Sequence, residues 1–173
     1  NSMTKLVITG EADLTVAAAL QFAPASTPTI DATASTGDLI LDVDTDLDST
    51  ITTGSGADSL DFGNSLDSSD TVDTGAGIDT VTVDSVANGG SVTLNTTYAL
   101  TNVEKVSIEP AAGATANAGV DISVNATQVG LTDLILVESQ TEADGTDDEA
   151  GDFTVTNLAA GVGVTLVNNK NDT

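Results

Sequence analysis

Short runs of alternating apolar and polar residues recur along the chain, and an acidic residue stands at the start of each run. The runs begin at Asp13, Asp38, Asp58, Asp79, Glu104, Asp133 and Asp152, with separations of 25, 20, 21, 25, 29 and 19 residues. Alternation with a period of two is typical of strands that are half buried in a sheet. A recurring spacing of this size indicates a solenoid with insertions. We therefore predict one short strand at each of these positions.

A second set of apolar runs lies between the first ones. It is centred on Ile30, Ile51, Val72 and residues 92–94, 122–124 and 162–166. Gly, Asn and Asp separate the runs, as expected where the chain turns tightly. The pattern predicts an all-β fold, a β-solenoid with two short strands per coil, as a single domain over residues 1–173. Only residues 12–22 have helical propensity, and they fit either a short helix or a strand followed by a loop.

Composition narrows the classes of function. The 173 residues include 27 acidic residues, three Lys, no Arg, no His and no Cys, with a formal net charge of −24. Nothing in this set could neutralise phosphates, so nucleic acid and anionic membrane surfaces are excluded as partners. No apolar stretch is long enough for a membrane-spanning helix. Divalent cations are the natural counter-charge, and in a chain without disulfides a bound metal ion is expected to stabilise the fold.

Two copies of one nine-residue phrase stand at residues 53–61 and 74–82, with a degenerate copy at 65–73 between them. Each full copy reads Thr-Gly-x-Gly-x-Asp-x-apolar-x. Paired glycines permit a tight turn that directs several carbonyl oxygens into a small volume. The Asp adds a carboxylate, and Ca²⁺ binds about six to eight such oxygens. Stacked coils would place Asp58 near Asp79 with an ion between them, although Gly- and Asp-rich loops also make ordinary turns.

The two phrases match G-G-x-G-x-D-x-U-x, where U is a large apolar residue, with Thr in place of the first Gly. They resemble the RTX repeats of bacterial exported proteins. The wider sequence, for example residues 100–108, 125–135 and 153–161, resembles RTX-type surface-layer (S-layer) proteins of Gram-negative bacteria. The resemblance implies a right-handed parallel β-roll with RTX-like repeats over residues 53–83, Ca²⁺ between turns, and type I secretion to the cell surface. It also implies a fragment of a longer surface protein that assembles as a homo-oligomer or a two-dimensional lattice.

The resemblance also nominates metal ligands. In that family, backbone carbonyls from alternate motif positions and the Asp carboxylates of adjacent turns hold the ion. By position, these are Thr53, Ser55 and Asp58 from one turn and Gly75, Gly77 and Asp79 from the next, with Asp38, Asp67, Asp70 and Asp73 as additional candidates. Asp13, Asp133 and Asp152 remain open as ligands. The acidic segment 138–151 lacks EF-hand spacing, so a solvated loop is expected there rather than a further cation site.

The favoured function is structural: a cell-surface domain that stays unfolded at low internal calcium and folds outside the cell when calcium binds. The alternative is a calcium-dependent adhesin module that binds a glycan or another surface ligand. An enzyme is not expected, because solenoid lyases and hydrolases need a base and cationic groups, and both His and Arg are absent. An ice-binding face would require Thr-x-Thr on every coil, which the sequence does not supply.

Overall fold

The computed structural model describes residues 2–43, 46–85, 91–92, 98–110, 122–125, 130–138 and 153–168. Within these ranges the chain forms strands and no helix. The strands are β1 Lys5–Gly10, β2 Leu14–Val16, β3 Thr29–Ser35, β4 Leu39–Asp42, β5 Thr50–Thr52, β6 Ser59–Asp61, β7 Thr71–Asp73, β8 Thr80–Ser85, β9 Ser91–Val92, β10 Ala99–Thr101, β11 Lys105–Pro110, β12 Ile122–Asn125, β13 Asp133–Glu138, β14 Phe153–Thr156 and β15 Gly163–Asn168. The predicted all-β solenoid is confirmed. A helix able to span a membrane is not found in the described ranges.

The strands form three parallel sheets. Sheet A has the order β1-β3-β5-β7-β10, sheet B the order β15-β13-β11-β8-β6-β4-β2, and sheet C the order β14-β12-β9. Through the first half of the chain, consecutive strands alternate between sheets A and B, so each coil contributes one strand to each sheet. We number these coils one (β1, β2), two (β3, β4), three (β5, β6), four (β7, β8) and five (β10, β11). Two strands per coil therefore holds for this part, whereas sheet C was not predicted.

The later part of the chain departs from the predicted grouping of strands. The run after Asp152 was grouped with the acid-led strands, but it forms β14 in sheet C. The run 162–166 belongs by its sequence to the second set, but its residues 163–166 fall instead in β15, the last strand of sheet B. Residues 12–22 contain the short strand β2 followed by residues without regular structure, so the strand-and-loop alternative is the correct one.

The core consists of apolar columns that run across the coils. In sheet B one column contains Leu41, Leu60, Val81, Val106 and Leu134, paired strand to strand and each at most 1% exposed. Sheet A contributes the column Ile30, Ile51, Val72 and Leu100. In-register parallel pairing stacks like positions on like positions, so the alternation in the sequence becomes one continuous buried face.

Replacing Leu60 at the centre of its column should be costly. Leu60 is fully buried, and Leu60→Ala is expected to lower the free energy of unfolding by about 2–5 kcal/mol, because it leaves a cavity between two neighbouring coils. Urea denaturation measures the change. Ile40→Ala on the outward face, where Ile40 is 51% exposed, is the control and should cost less than about 0.5 kcal/mol. Similar losses in the two variants would contradict the assignment of the core.

Candidate metal centre

The two nine-residue phrases form stacked turns between sheets A and B. Residues 53–58 connect β5 to β6 on coil three, and residues 74–79 connect β7 to β8 on coil four. The turns are of equal length. Thr52 pairs with Asp73 before them, and Ser59 pairs with Thr80 after them. Equivalent motif positions therefore lie against one another across the gap between coils three and four.

The glycines of the second turn allow the two backbones to approach closely. Gly75 has φ +78°, and a Cβ atom added to it would overlap the carbonyl oxygen of Gly54 on the coil below. A Cβ atom on Gly77 would overlap the carbonyl oxygen of Gly56 in the same way. Any side chain at these positions would push the coils apart. These glycines thus bring the carbonyl-bearing backbones of two coils into contact, and of the four motif glycines only Gly75 and Gly77 have positive φ.

The carboxylates of Asp58 and Asp79 are buried in these turns, with relative exposures of 2% and 0%. The backbone N–H of Leu39 donates to Oδ1 of Asp58 at 2.9 Å, and the N–H of Asp58 donates to Oδ1 of Asp79 at 2.7 Å. The Oδ2 atom of each carboxylate is buried and has no hydrogen-bond partner. Leaving a buried acceptor unpaired costs about 1–3 kcal/mol, and more for a charged group. A hard cation would satisfy both oxygens.

The surroundings of Asp79 oppose its ionisation. Burial raises the pKa of the Asp79 carboxyl, and the negative charges of Asp58 and Glu104 raise it further. The hydrogen bond from the Asp58 N–H acts in the opposite direction, but burial outweighs it. A cation at this position would act to lower the pKa of the Asp79 carboxyl, because it favours the charged carboxylate.

This raised pKa gives a pH dependence in the absence of calcium. Because the folded-state pKa of Asp79 lies above its value in the unfolded chain, its contribution to stability is fully present below the unfolded pKa and is lost as pH rises through the folded pKa. In EGTA, the free energy of unfolding of the wild type relative to Asp79→Asn should therefore increase as pH is lowered. Urea denaturation over a pH series measures this difference. A difference that does not change with pH would contradict the raised pKa.

The structure brings the ligands nominated from the two motif turns to one place. Thr53, Ser55 and Asp58 lie on coil three, and Gly75, Gly77 and Asp79 lie on coil four directly across the gap. Among the described residues, no group of three or more acidic side chains forms a metal site. Two carboxylates with several backbone carbonyls would make up the oxygen-rich coordination that Ca²⁺ prefers. The residues present therefore fit this ion.

The threonines that replace the first motif glycine have a role that sequence reasoning missed. Thr53 Oγ1 donates to the carbonyl oxygen of Thr74 at 2.7 Å, and Thr74 Oγ1 donates to that of Asn102 at 2.6 Å. Both threonines are buried. The hydroxyls link coils three, four and five at one register position. The sequence signal for this role was that Thr replaces the first glycine in both copies of the motif.

Glu104 extends the stack of carboxylates to coil five. Lys105 pairs with Thr80, so Glu104 lies in register with Asp79. Its Oε2 accepts the backbone N–H of Asp79 at 3.0 Å, in the way that Asp79 accepts the N–H of Asp58. The sequence marked Glu104 only as the start of a strand. The sequence signal for its place in the site was that Glu104 continues the series of acidic residues that includes Asp58 and Asp79.

Asp38 and Asp13 lie outside this stack. Ile40 pairs with Ser59, so Leu39 rather than Asp38 stands in register with Asp58. Asp38 is exposed, and its Oδ1 accepts the backbone N–H of Ala57 at 2.7 Å. Oδ1 of Asp13 accepts the N–H of Asp38 at 3.0 Å. These carboxylates connect the backbones of adjacent coils.

The remaining acidic candidates are engaged elsewhere. Asp70 lies at the opposite corner, before β7, where its Oδ1 accepts the N–H and the hydroxyl of Ser49, both at 2.8 Å, and its Oδ2 accepts the N–H of Asp67 at 2.9 Å. Asp67 accepts the N–H of Ser69, and Asp73 accepts from Asn102 Nδ2 and the N–H of Gly75. Asp133 stands in register with Lys105, one residue past Glu104. Asp152 and residues 139–151 lie outside the described residues.

The hydrogen bonds of Asp70 predict a purely structural effect. Asp70 is 4% exposed, and Asp70→Ala leaves the buried Ser49 groups without their acceptor, so the free energy of unfolding should fall by about 1–3 kcal/mol. Urea denaturation in EGTA and in calcium should show the same loss in both. A loss confined to the calcium condition would mean that Asp70 is a metal ligand, contrary to this expectation.

Comparisons with protein-family models, curated proteins and solved structures find no significant match to this chain. The class that the structure itself defines is a parallel β-solenoid compatible with a β-roll. The resemblance to RTX and S-layer proteins therefore rests on the two motif copies and the surrounding sequence.

Proposed function

We propose that the chain is a structural cell-surface domain, of the S-layer kind, that folds on binding extracellular Ca²⁺ and assembles with copies of itself. One observation carries the proposal. Two stacked turns of identical motif each bury a carboxylate with one oxygen unpaired, Oδ2 of Asp58 and Oδ2 of Asp79. A fold would not normally leave two such atoms unsatisfied, and a divalent cation is the partner that matches their charge.

The chain's own residues would hold the ion and couple it to folding. The carbonyls of Thr53, Ser55, Gly75 and Gly77 and the carboxylates of Asp58 and Asp79 form the proposed donor set. When bound, Ca²⁺ supplies positive charge to a site that otherwise contains two negative groups. These residues come together only when coils three and four stack, so the unfolded chain has no such site. Calcium at one hundred times its Kd would then add about 2.7 kcal/mol to folding.

The net charge supports the same account. With 27 acidic and three basic residues, the chain repels itself in any compact state, and divalent ions reduce that repulsion. Low calcium inside a cell would favour the extended chain that export requires. High calcium outside would favour the folded solenoid.

Self-assembly is supported by the end of sheet B. Val164 and Leu166 on β15 are 44% and 63% exposed, whereas their counterparts Leu134 and Leu136 on β13 are buried. In the described part of the chain, β15 pairs on one side only. An apolar strand with a free edge favours pairing with another strand, which a neighbouring copy or domain would provide.

Far-ultraviolet circular dichroism during a calcium titration, starting from EGTA-treated protein held in urea at the midpoint of its calcium-free unfolding, tests the proposal. A cooperative gain of β signal with calcium, absent with magnesium and abolished by combining Asp58→Ala and Asp79→Ala, is expected. Asp38→Ala is the matched control and should leave the transition in place. A β signal that does not change as calcium is added would overturn the folding role. Light scattering on the calcium-loaded protein tests assembly, and a monomer at all concentrations would overturn that part.

The alternative, a calcium-dependent adhesin, makes a different demand on the site. A glycan bridged by the ion needs open coordination positions, whereas Asp58 and Asp79 are buried. Calcium-dependent retention on a panel of surface glycans by a protein that stays monomeric would favour the adhesin over the structural domain.

A further inference from the structure

We infer that the chain binds a single Ca²⁺ ion, in the gap between coils three and four, and that the Thr53 and Thr74 hydroxyls and a short turn on coil five prevent a second ion from binding above it. The inference rests on the proposed function, because it concerns the number and position of the ions in the same site. RTX-type repeats suggest a row of equivalent gaps. In this chain the gaps differ in turn length, in carboxylates and in carbonyl hydrogen bonds.

Turn length is the first difference. On coils three and four the turns from sheet A to sheet B span residues 53–58 and 74–79. On coil five the corresponding turn spans only residues 102–104, between the register partners of Asp73 and Thr80. The gap between coils four and five is thus bounded on one side by a turn of half the length. A short turn cannot supply the carbonyls of the second and fourth motif positions.

The carboxylates are the second difference. Leu39 stands in register with Asp58 in the gap between coils two and three, and the Asp38 carboxylate that reaches this gap is exposed and accepts the Ala57 N–H. Glu104 stands opposite Asp79 in the gap between coils four and five. It comes from a short turn and is only half-buried, whereas Asp58 and Asp79 are buried. On the next coil the position belongs to Thr132, because Asp133 pairs with Lys105.

The carbonyl oxygens are the third difference. By the motif positions, an ion between coils four and five would need the carbonyl of Thr74, but this oxygen accepts the Thr53 hydroxyl at 2.7 Å. The carbonyl of Asn102 on coil five accepts the Thr74 hydroxyl at 2.6 Å. Thr53's own carbonyl meets no such side chain from coil two, where Ala32 stands at that register. A Gly at the first motif position would have no hydroxyl to make these bonds.

The test is calcium stoichiometry on the full chain. Protein freed of metal with EGTA is titrated with CaCl₂ by isothermal calorimetry, and the bound metal is counted independently by atomic emission after gel filtration. One ion per chain is expected. Two or more ions would overturn this inference and leave the proposed function standing. Absence of binding would overturn the proposed function itself.

Variants identify the position of the ion. Asp79→Asn should lose calcium binding, whereas Glu104→Gln and Asp38→Asn should still bind one ion, because an amide oxygen can accept the same backbone N–H. Loss of the ion in either of the latter two would place it in a different gap. Each variant is checked for β signal by circular dichroism at high calcium, so that unfolding is not mistaken for loss of a ligand.

A second measurement separates the hydroxyl bonds from the metal. Thr74→Val keeps the shape of the side chain but removes the bond to Asn102, so the melting temperature should fall by the same amount in EGTA and in calcium. Thr74→Ser restores the hydroxyl and should restore the melting temperature. A fall seen only with calcium would mean that the Thr74 hydroxyl supports a second ion, which contradicts the single-site inference.

Discussion

Asp79→Asn is expected to change stability in opposite directions in EGTA and in calcium. Without a cation, the substitution removes a buried charge whose pKa is already raised by burial and by neighbouring carboxylates, so the free energy of unfolding should rise by about 1–3 kcal/mol. With calcium at about one thousand times Kd, ion binding adds about 4 kcal/mol to the wild type and nothing to the variant, so the variant should be about 1–3 kcal/mol less stable than the wild type. Urea denaturation in EGTA and in calcium measures this change of sign in the stability difference between variant and wild type.

Asp38→Asn is the matched control for the opposite effects of Asp79→Asn in EGTA and in calcium. Asp38 lies on the neighbouring turn and also accepts a backbone N–H, but it is exposed and out of register with Asp58. Its substitution should change stability little and to the same extent in both conditions. If Asp79→Asn lowered stability equally with and without calcium, its carboxylate would be a hydrogen-bond acceptor only, and the metal site would lose its main support.

Gly75→Ala is expected to destabilise the fold strongly, because it combines a left-handed backbone with a close contact between coils. A non-glycine residue at φ +78° costs about 1–2 kcal/mol, and overlap of the new Cβ with the Gly54 carbonyl adds about 1–3 kcal/mol. The free energy of unfolding should therefore fall by roughly 2–5 kcal/mol. The calcium midpoint should also rise, because the two turns that supply the ligands are forced apart. Urea denaturation and the calcium titration measure the two effects.

Gly161→Ala separates the two contributions. Gly161 has φ +93°, close to that of Gly75, but a Cβ atom there meets nothing within 4 Å. This variant should show only the conformational cost and no change in calcium midpoint. Equal losses in the two glycine variants would mean that close contact between the coils is not what Gly75 provides.

The threonines at the first motif position change how this solenoid is held together. Thr53 and Thr74 provide buried hydrogen bonds from coil to coil at positions where the RTX pattern has glycine. Such bonds do not depend on an ion. The expected division is that hydroxyls and apolar columns hold coils three to five in register, while the ion neutralises one local pair of carboxylates.

Local pattern was sufficient to predict much of the fold. The alternation around Leu41, Leu60 and Val81 identifies strands, because side chains in a strand point to opposite faces in turn. The spacing of those runs identifies the coil, and the two identical phrases identify equivalent turns. Asp58 and Asp79 could be predicted to stack for the same reason: equal turn lengths keep equal positions in register.

Other features were decided only when the coils packed. Asp38 lies one residue out of register with Asp58 because the connection on coil two is longer: eight residues (32–39) separate Asp31 from Ile40, whereas six (53–58) separate their register partners Thr52 and Ser59. The effect of that difference appears only at the neighbouring coil. Asp70 resembles the other acidic residues in sequence, yet the fold places it at the opposite corner against Ser49. The sequence by itself determined which residues repeat. The tertiary structure determined which of them meet, because contacts between coils depend on the combined lengths of turns that are distant from one another in the chain.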